Sequence, residues 1–553
     1  MTTAPPVGAR IETVAPRAIT DRSDRYRLAA LLVVAIAIHV WLIANTYVTA
    51  KDSIGFVHYA LQLQDPSKSR APDAPPAAVT DVLHAQEHPP GFPLLILLAS
   101  SIVRPLYTAP IQDQMLLSAQ IASAFAGILT VLPSYWLGRL LFNKFAGFAT
   151  ALLYQVLPVA AHETSDGLTE GLYILLLATA LLLSVRAVKK PGIGGFLVAG
   201  LAIGLTYMVR PEGLVVAFAA GCAVVALALL RRRPGGLSVA WLTALTVGVV
   251  IVAAPYMVLI GGVTNKPTAK NMLPSWREQL NKRAELGIPD SAALLAGVYI
   301  PERDGSKPLW IVRTLANETL KGFHFGAAAF ALIGVVIGLR RVRGEPWIAL
   351  PLIAMAVYVV LLLYLGNKSG YISERHCMPL VYVGLIFAGG ALSLIPRFAA
   401  RRFGEASFWA GWGVPIGVLT VLVVSCLPSA VKPPHKSRIA HKEAGKFLAR
   451  EGLPKPGEAL YDTNDWASFY AGWTIYRRDV NPPTANVSYA VVEVSELNDP
   501  FHTPEPQFEN VRNIARDGNS KLIYWWPEDV PAEDAKAKAK VLIYRLGPIS
   551  KLK

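Results

Sequence analysis

The first candidate for chemistry in this sequence is a carboxylate at the edge of a long apolar segment. Asp52 follows the segment Leu28 to Val48, where a charge is costly unless it has a partner or a task. A carboxylate there could accept a proton from an attacking hydroxyl, as a general base. Lys51 beside it could contact an anion. The alternative is structural, because the pattern after Asp52 is also typical of an amphipathic interfacial helix with Asp52 as its N-cap.

A second acidic group stands at one end of the fourth apolar segment. Asp166 and Glu170 are four residues apart, so they share a helix face. With Glu163 they could line a cavity or hold a divalent metal, although a solvent-exposed helix end explains them equally well. The sequence has no HExxH or CxxC pattern. We therefore predict no metal site, with a divalent metal as a weakly supported alternative.

Two arginines lie at the same predicted depth as these carboxylates. Arg210 stands between two apolar segments with almost no loop, and Arg375 with His376 begins a later segment. An arginine at such a place can snorkel, pair with a neighbour such as Glu212, or bind a phosphate in a bidentate way. Two arginines at the same depth favour the binding of an anion that carries a lipid tail. His88, before two prolines, could contact a phosphate or a carboxylate, or only shape a turn.

The composition identifies the elements that must position these residues. The chain has 553 residues, of which 53% are apolar and 16% charged, and its mean hydropathy is +0.40. The apolar residues form runs of roughly 17 to 24, long enough to cross a bilayer. The net charge of +15 comes from short basic clusters between these runs. That pattern indicates membrane orientation and not nucleic-acid binding.

The sequence predicts an α-helical polytopic membrane protein with eleven spans. The spans are 28–48, 113–138, 145–161, 167–186, 194–209, 213–230, 239–262, 325–339, 346–366, 377–396 and 408–430. Placing 91–107 along the outer interface puts all six basic clusters on one side. We thus predict a cytoplasmic tail at 1–27, a membrane domain at 28–430 and an extracytoplasmic domain at 431–553. The loop 267–323 would carry interfacial helices, with a helical patch from Trp276 to Leu286, as a lid or a structural cap.

The last 120 or so residues have a different pattern. They are polar, with short apolar runs at 459–461, 489–494, 521–526 and 541–546, and a helical periodicity from Ile439 to Glu451. This predicts a small α/β domain. The cysteines Cys222, Cys377 and Cys426 lie in or beside apolar runs, so a disulfide framework is not expected.

Several short motifs, in their order and spacing, resemble those of the C-type (GT-C) membrane glycosyltransferases. The nearest likeness is to the branch that holds the protein O-mannosyltransferases and the lipid A aminoarabinose transferase, and it covers about residues 25–430. The motifs are Asp52 after the first span, His88-Pro89-Pro90 before an interfacial helix, the turn 138–144, and the segments 165–170, 209–213 and 373–379.

The resemblance implies transfer of a sugar from a polyprenyl-phosphate-linked donor to a hydroxyl of a lipid, glycan or protein at the outer face of the cytoplasmic membrane. It implies Asp52 as the catalytic base and Asp166 as a second acidic group of the cavity. Many relatives have Asp-Glu where this chain has Asp52-Ser53, which makes a metal there less expected. No nucleic acid or nucleotide sugar is implied. The predicted substrate-binding residues are Lys51, His88, Glu170, Arg210, Arg375 and His376. Of these, the resemblance implies Arg375 and Arg210 as the contacts of the donor phosphate and Glu170 as a further acidic group of the cavity, whereas Lys51, His88 and His376 are predicted from their own positions.

The competing class is a multi-span transporter or lipid flippase. The sequence shows no inverted repeat and no matched pair of broken helices, and charges within the spans are scarce. A membrane anchor for the C-terminal domain is a third interpretation, but it leaves the charged residues unexplained. The sequence therefore favours the glycosyltransferase.

Overall fold

A computed structural model describes most of the chain. The described residues are 22–69, 76–231, 235–266, 307–369, 371–396, 413–462, 464–475, 485–495 and 520–547. The predicted helical patch at 276–286, and the loop 267–323 up to residue 306, lie outside them. So do most of the predicted N-terminal tail and the basic cluster at Arg397, Arg401 and Arg402.

The described part of residues 22–430 consists of α-helices joined by short turns. The segment between the first two predicted spans contributes three of these helices, and the first of the three packs against the third. The helices are α1 (Arg22–Asn45), α2 (Lys51–Gln64), α3 (Val79–Ala85), α4 (Gly91–Leu106), α5 (Ile111–Leu129), α6 (Val131–Leu141), α7 (Lys144–Val156), α8 (Pro158–Glu163), α9 (Glu170–Lys189), α10 (Ile193–Tyr207), α11 (Leu214–Arg231), α12 (Gly235–Ile260), α13 (Lys307–Gly322), α14 (Gly326–Arg341), α15 (Ala349–Ser369), α16 (Met378–Leu392) and α17 (Val414–Ala430).

Many of these helices are apolar enough to cross a membrane. Within the described residues, six helical stretches have the length and hydropathy of a span, or seven if the pair α13 and α14, bent by 107°, counts as one. Shorter apolar helices accompany them, among them α4, α10, α16 and α17. The predicted polytopic helical class is confirmed. The number of eleven spans stays a prediction.

Helix α4 has one buried and one exposed apolar face. Phe92, Ile96 and Val103 are buried. The exposed side carries a row of residues at four-residue spacing, which is one stripe of a helix. That row comprises Leu94, Leu98, Ile102 and Leu106. An exposed apolar stripe is what a lipid-facing helix needs, and the interfacial location of α4 remains a prediction.

The C-terminal segment forms a small α/β domain. Its elements are α18 (Ile439–Arg450), β1 (Ala459–Asp462), α19 (Trp466–Tyr470), β2 (Ser488–Glu493), β3 (Lys521–Trp526), α20 (Ala535–Lys538) and β4 (Val541–Leu546). The strand order is β1-β2-β4-β3, with β1 parallel to β2 and the other pairs antiparallel. All four predicted apolar runs are strands, and the predicted helix is α18.

The domain lies at the end of the helical bundle that carries Asp52. The opposite end of α1 holds buried Asp24, which accepts hydrogen bonds from Tyr135 at 2.5 Å and Arg139 at 2.7 Å. The cations Arg139 and Lys144, which belong to a predicted cytoplasmic cluster, therefore lie at the far end of the bundle from the C-terminal domain.

Candidate active site

Asp52 lies in the first turn of α2, where the helix dipole favours a negative charge. Its side chain is 58% exposed and accepts a hydrogen bond of 2.6 Å from Nη1 of Arg375. Asp52 is not the N-cap, which is Ala50, and the cap makes no side-chain hydrogen bond. The sequence-based alternative of an N-cap role is thus not the geometry found.

Arg375 connects the exposed carboxylate to buried ones. It stands in the turn just before α16, and 23% of its side chain is exposed. Besides Asp52, its guanidinium binds Glu170 and lies 3.5 Å from Oε2 of Glu163. Burial opposes its positive charge, but the acidic groups around it, Glu170 first, outweigh burial and raise the pKa of Arg375 above its ordinary value. Arg375 therefore remains a cation at all relevant pH values.

Glu170 is the buried centre of the cluster. It begins α9, its side chain is 1% exposed, and a single oxygen, Oε1, accepts hydrogen bonds from both Arg375 and Arg210. Arg210 also donates from Nε to Thr169 Oγ1 at 2.9 Å, and its guanidinium lies 5.5 Å from the centre of the Tyr173 ring. A buried carboxylate with two guanidinium partners is fixed in place.

Glu163, at the end of α8, supplies a further carboxyl group. Burial, together with the negative charge of nearby Glu170, raises the pKa of Glu163 to about 8. It is therefore mostly protonated at neutral pH. Arg375 and Arg210 then carry two positive charges against one on Glu170, and Asp52 neutralises the excess. An anion that replaced Asp52 at Arg375 would meet a net positive site.

Asp166 lies beside this cluster but points at the backbone. Its carboxylate accepts the Ala50 N–H at 3.1 Å and binds Nε2 of His435 at 2.7 Å. Its carbonyl accepts a 2.5 Å hydrogen bond from Ser53 Oγ. The turn after it depends on Gly167, whose φ of +72° lies in the left-handed region that glycine adopts without cost. Burial raises the pKa of Asp166, and the His435 hydrogen bond opposes that shift.

The His-Pro-Pro motif packs against the segment that leads to Arg210. The Gly91 N–H donates to Met208 O at 2.8 Å, and a Cβ on Gly91 would lie only 2.5 Å from that oxygen. His88 is half-buried next to Phe56, with ring centroids 5.4 Å apart. Burial and the charges of Lys266 and Arg210 lower the pKa of His88 to about 3, so the imidazole is neutral.

The remaining predicted residues have other partners. Nδ1 of His376 forms a hydrogen bond of 2.9 Å with Ser373 Oγ. Burial and the charge of Arg210 lower the pKa of His376 to about 4. Lys51 pairs at 3.3 Å with Asp465 of the C-terminal domain. The structure thus brings Asp52, Glu170, Arg210 and Arg375 into one cluster, and it directs Lys51 and Asp166 toward the domain.

Sequence reasoning missed two participants. Lys266 forms a 2.6 Å ion pair with Glu212 behind Arg210, and His435 binds Asp166. A signal for Lys266 was its place a few residues after the predicted span 239–262. Among the described residues, no group of three or more His, Cys, Asp or Glu side chains has an arrangement that could hold a metal ion.

Comparisons with known proteins agree with this architecture. Residues 87–258 match the family model described as dolichyl-phosphate-mannose-protein mannosyltransferase. A search of curated protein sequences gave no match.

Solved structures share the fold. The Archaeoglobus fulgidus oligosaccharyltransferase, tethered to an acceptor peptide, has a TM-score of 0.56 at 14% identity, over 94% of this chain and 75% of that one. ArnT from Cupriavidus metallidurans, bound to undecaprenyl phosphate, has a TM-score of 0.54 at 14% identity, over 94% of this chain and 97% of that one. The same archaeal enzyme has also been solved with an inhibitory peptide and a dolichol-phosphate, with a TM-score of 0.54 at 14% identity, over 86% of this chain and 70% of that one.

The fold and the family match agree in indicating an integral membrane protein. The predicted resemblance to the O-mannosyltransferase and ArnT-like branch of the GT-C glycosyltransferases is confirmed, because residues 87–258 match the mannosyltransferase family model and the solved structures share the fold.

Proposed function

We propose that this protein transfers a sugar from a polyprenyl-phosphate-linked donor to an acceptor hydroxyl, with Asp52 as the general base. The main observation in support is the position of Arg375, whose guanidinium binds both the exposed Asp52 and the buried Glu170. The support from relatives is that ArnT was solved with undecaprenyl phosphate and the archaeal enzyme with a dolichol-phosphate. The reaction would take place at the membrane surface, because the donor's isoprenoid tail must remain in lipid.

Arg375 would be the main contact of the donor phosphate. It is partly exposed, whereas Arg210 is nearly buried and shares Glu170 with it. A phosphate arriving at Nη1 of Arg375 would compete with Asp52 for the same donor group. Donor binding would therefore release Asp52, and its carboxylate would then be free to take a proton from the acceptor.

The leaving group explains why a cation belongs here. Negative charge develops on the phosphate as the bond to the sugar breaks, and a fixed guanidinium stabilises that charge. Glu170 and Arg210 would hold Arg375 in position, since Glu170 is buried and bound from two sides. Asp166 would act through the backbone of the Asp52 loop and not through the substrate, because its carboxylate is already bound to Ala50 and His435.

The proposed orientation puts the active site and the C-terminal domain outside the cytoplasmic membrane. The basic residues Arg139 and Lys144 lie at the opposite end of the bundle, as the rule that positive loops face the cytoplasm requires. The acceptor would be a lipid, a glycan or a protein. An acceptor peptide is bound in one structure of the archaeal enzyme.

Sugar transfer in membranes tests the proposal. Membranes containing the wild type or Asp52→Asn would be supplied with polyprenyl-phosphate-linked labelled sugars and host lipids, at equal protein level. We expect a fall of about 10²- to 10⁴-fold in the variant, the usual contribution of a general base, with donor binding retained. Asp65→Asn is the matched control, because Asp65 is an aspartate at the other end of α2.

Two other outcomes would contradict the proposal. Equal transfer by the wild type and Asp52→Asn would remove Asp52 as the base. Absence of transfer with every donor, together with movement of lipid or solute across vesicles, would favour the transporter that the sequence left as the alternative.

A further inference from the structure

The linker between α1 and α2, residues 46–50, leads directly into the helix that carries Asp52. It is only five residues long and joins the first span to the first turn of α2. Whatever holds its backbone therefore fixes where Asp52 stands. Among the described residues, its backbone hydrogen bonds to distant parts of the chain are made with the C-terminal domain or with Asp166, which the domain contacts.

Two side chains of the domain bind carbonyl oxygens of the linker. Trp466, the first residue of α19, donates from its indole N–H to Thr49 O at 2.9 Å, in a buried position. Lys442, from α18, donates to Tyr47 O at 3.3 Å and also pairs with Asp113 of α5 at 3.3 Å. These contacts join the domain to the linker and to the membrane helices around it.

A third connection runs through Asp166. His435 lies between α17 and α18, and its Nε2 binds Asp166 at 2.7 Å; the same carboxylate accepts the Ala50 N–H. Ser53, one residue beyond Asp52, donates to the Asp166 carbonyl. Asp166 therefore contacts the chain on both sides of Asp52, and the domain supplies one of the partners of its carboxylate.

The backbone is strained at two of these contacts. His435 has a φ of 51° and Asp465 a φ of 63°, in the left-handed region that side chains other than glycine rarely adopt. His435 binds Asp166, and Asp465 pairs with Lys51 at the start of α2. Strained residues persist where the surrounding structure determines them, commonly at functional contacts.

We propose that the C-terminal domain positions the general base: His435 and Trp466, acting through Asp166 and the linker backbone, hold the first turn of α2 in the geometry that transfer requires. The inference rests on the proposed function and gives the domain a role in that reaction. His435 and Trp466 are positioning residues, because they contact the linker and Asp166 and not the Asp52–Arg375 pair.

His435 makes this contact sensitive to pH. Burial opposes its charge, but the hydrogen bond and the charge of Asp166 outweigh burial and raise the pKa of His435; Arg438 and His162 are the other titratable groups around it. The charged form strengthens the bond to Asp166. The stabilisation that charged His435 adds through Asp166 is complete below the ordinary imidazole pKa of 6.5. It is lost as the pH rises through the raised pKa of His435.

The test combines hydrogen exchange with sugar transfer in the full-length protein. Exchange of the segment 46–53 would be measured in the wild type, His435→Ala, His435→Gln and Trp466→Phe. Lys446→Ala is the matched control, since Lys446 is exposed on the same helix as Lys442 and forms its ion pair with Glu443 of that helix. Protection of the β2 and β4 amides reports whether the domain is still folded.

We expect faster exchange at 46–53 in His435→Ala and Trp466→Phe, with β2 and β4 unchanged and transfer lowered about tenfold or more, as misplacement of a reacting group does. His435→Gln keeps a donor for Asp166, so it should retain most of the transfer but lose the decline of the rate at high pH. Lys446→Ala should match the wild type.

Unchanged exchange at 46–53 in both His435→Ala and Trp466→Phe would overturn the inference. Faster exchange at 46–53 in the variants, together with a transfer rate equal to that of the wild type, would also overturn it. The domain would then stabilise the linker without affecting the activity of the general base. A wild type that transfers no sugar would instead overturn the proposed function. That outcome is read from the transfer measurement alone, whereas the exchange measurement decides whether the domain holds the linker.

Discussion

Arg375 and Asp52 are 323 residues apart in the chain and are joined by a hydrogen bond of 2.6 Å. The bond connects the first turn of α2 to the turn before α16, and it is the contact that unites the exposed and buried halves of the site. Because Arg375 has one exposed face and one face on Glu170, its guanidinium can exchange Asp52 for another anion without leaving its place.

The first prediction concerns the guanidinium of Arg375. Arg375→Lys keeps the charge but loses the planar group that reaches Asp52 and Glu170 together. We expect the donor concentration needed for half-maximal transfer to rise about tenfold, because a lysine cannot hold Glu170 and present a second N–H to the phosphate in the same fixed geometry. The measurement is transfer rate against donor concentration. Arg313→Lys, at an exposed arginine of α13, should leave the curve unchanged; equal shifts in both variants would contradict a donor contact.

The second prediction concerns the support of Glu170 by Arg210. Arg210→Gln removes one of two cations from a buried carboxylate, which we expect to lower the free energy of unfolding by about 2 kcal/mol. The double variant Arg210→Gln/Glu170→Gln should recover part of the lost free energy of unfolding, because the buried negative charge of Glu170 is then removed as well. Thermal unfolding in detergent measures both effects.

The surface pair of Arg341 and Glu345 gives the reference for that measurement. Both side chains are about one-third exposed, 30% and 33%, so Arg341→Gln should cost less than about 0.5 kcal/mol. A loss for Arg210→Gln no larger than this reference would contradict the role of Arg210 as a support.

The third prediction concerns the close contact of α9 with α5. Gly171 follows Glu170, and a Cβ at this position would overlap the carbonyl oxygen of Ser123. Gly171→Ala should push the start of α9 away and move Glu170, so we expect lower transfer and a lower unfolding temperature. Gly221→Ala in α11 is the control, because a Cβ there would lie 3.9 Å from Leu242 Cδ2, an ordinary van der Waals distance. Similar losses in both would argue against the packing explanation.

The fourth prediction concerns the protonation of Glu163. Its pKa is raised from 4.5 to about 8, so the folded protein binds this proton more tightly than the unfolded chain does. The resulting stability is complete below pH 4.5 or so and is lost as pH rises through about 8. Glu163→Gln should therefore flatten the fall of the unfolding temperature between pH 5 and about 8. An unchanged slope, equal to that of the surface variant Glu451→Gln, would contradict the assignment.

The sequence allowed Asp52, Glu170 and Arg375 to be placed near one another because each stands at the end of an apolar span. Spans of similar length put their ends at the same depth, so charges at span ends converge. The four strands of the C-terminal domain were predictable for a similar reason, since each is a short apolar run bounded by polar residues. The confirmed fold class follows from such local signals.

Pairings across the chain could not be predicted in this way. His435 and Asp166 are 269 residues apart, and no local pattern indicates that a histidine after the last span binds a carboxylate at the start of the fourth. The direction of Lys51 toward Asp465 depends equally on how the C-terminal domain sits on the bundle. Such contacts follow from packing in three dimensions, which charge and periodicity alone do not specify.

The strand order β1-β2-β4-β3 has a consequence for the synthesis of the protein. β4 is the last described strand, yet it pairs with both β2 and β3 and so lies inside the sheet. The sheet cannot close until residues 541–546 have left the ribosome. The first span and Asp52 are synthesised before β4, so the domain that contacts their linker is completed only after all the described membrane helices have been made.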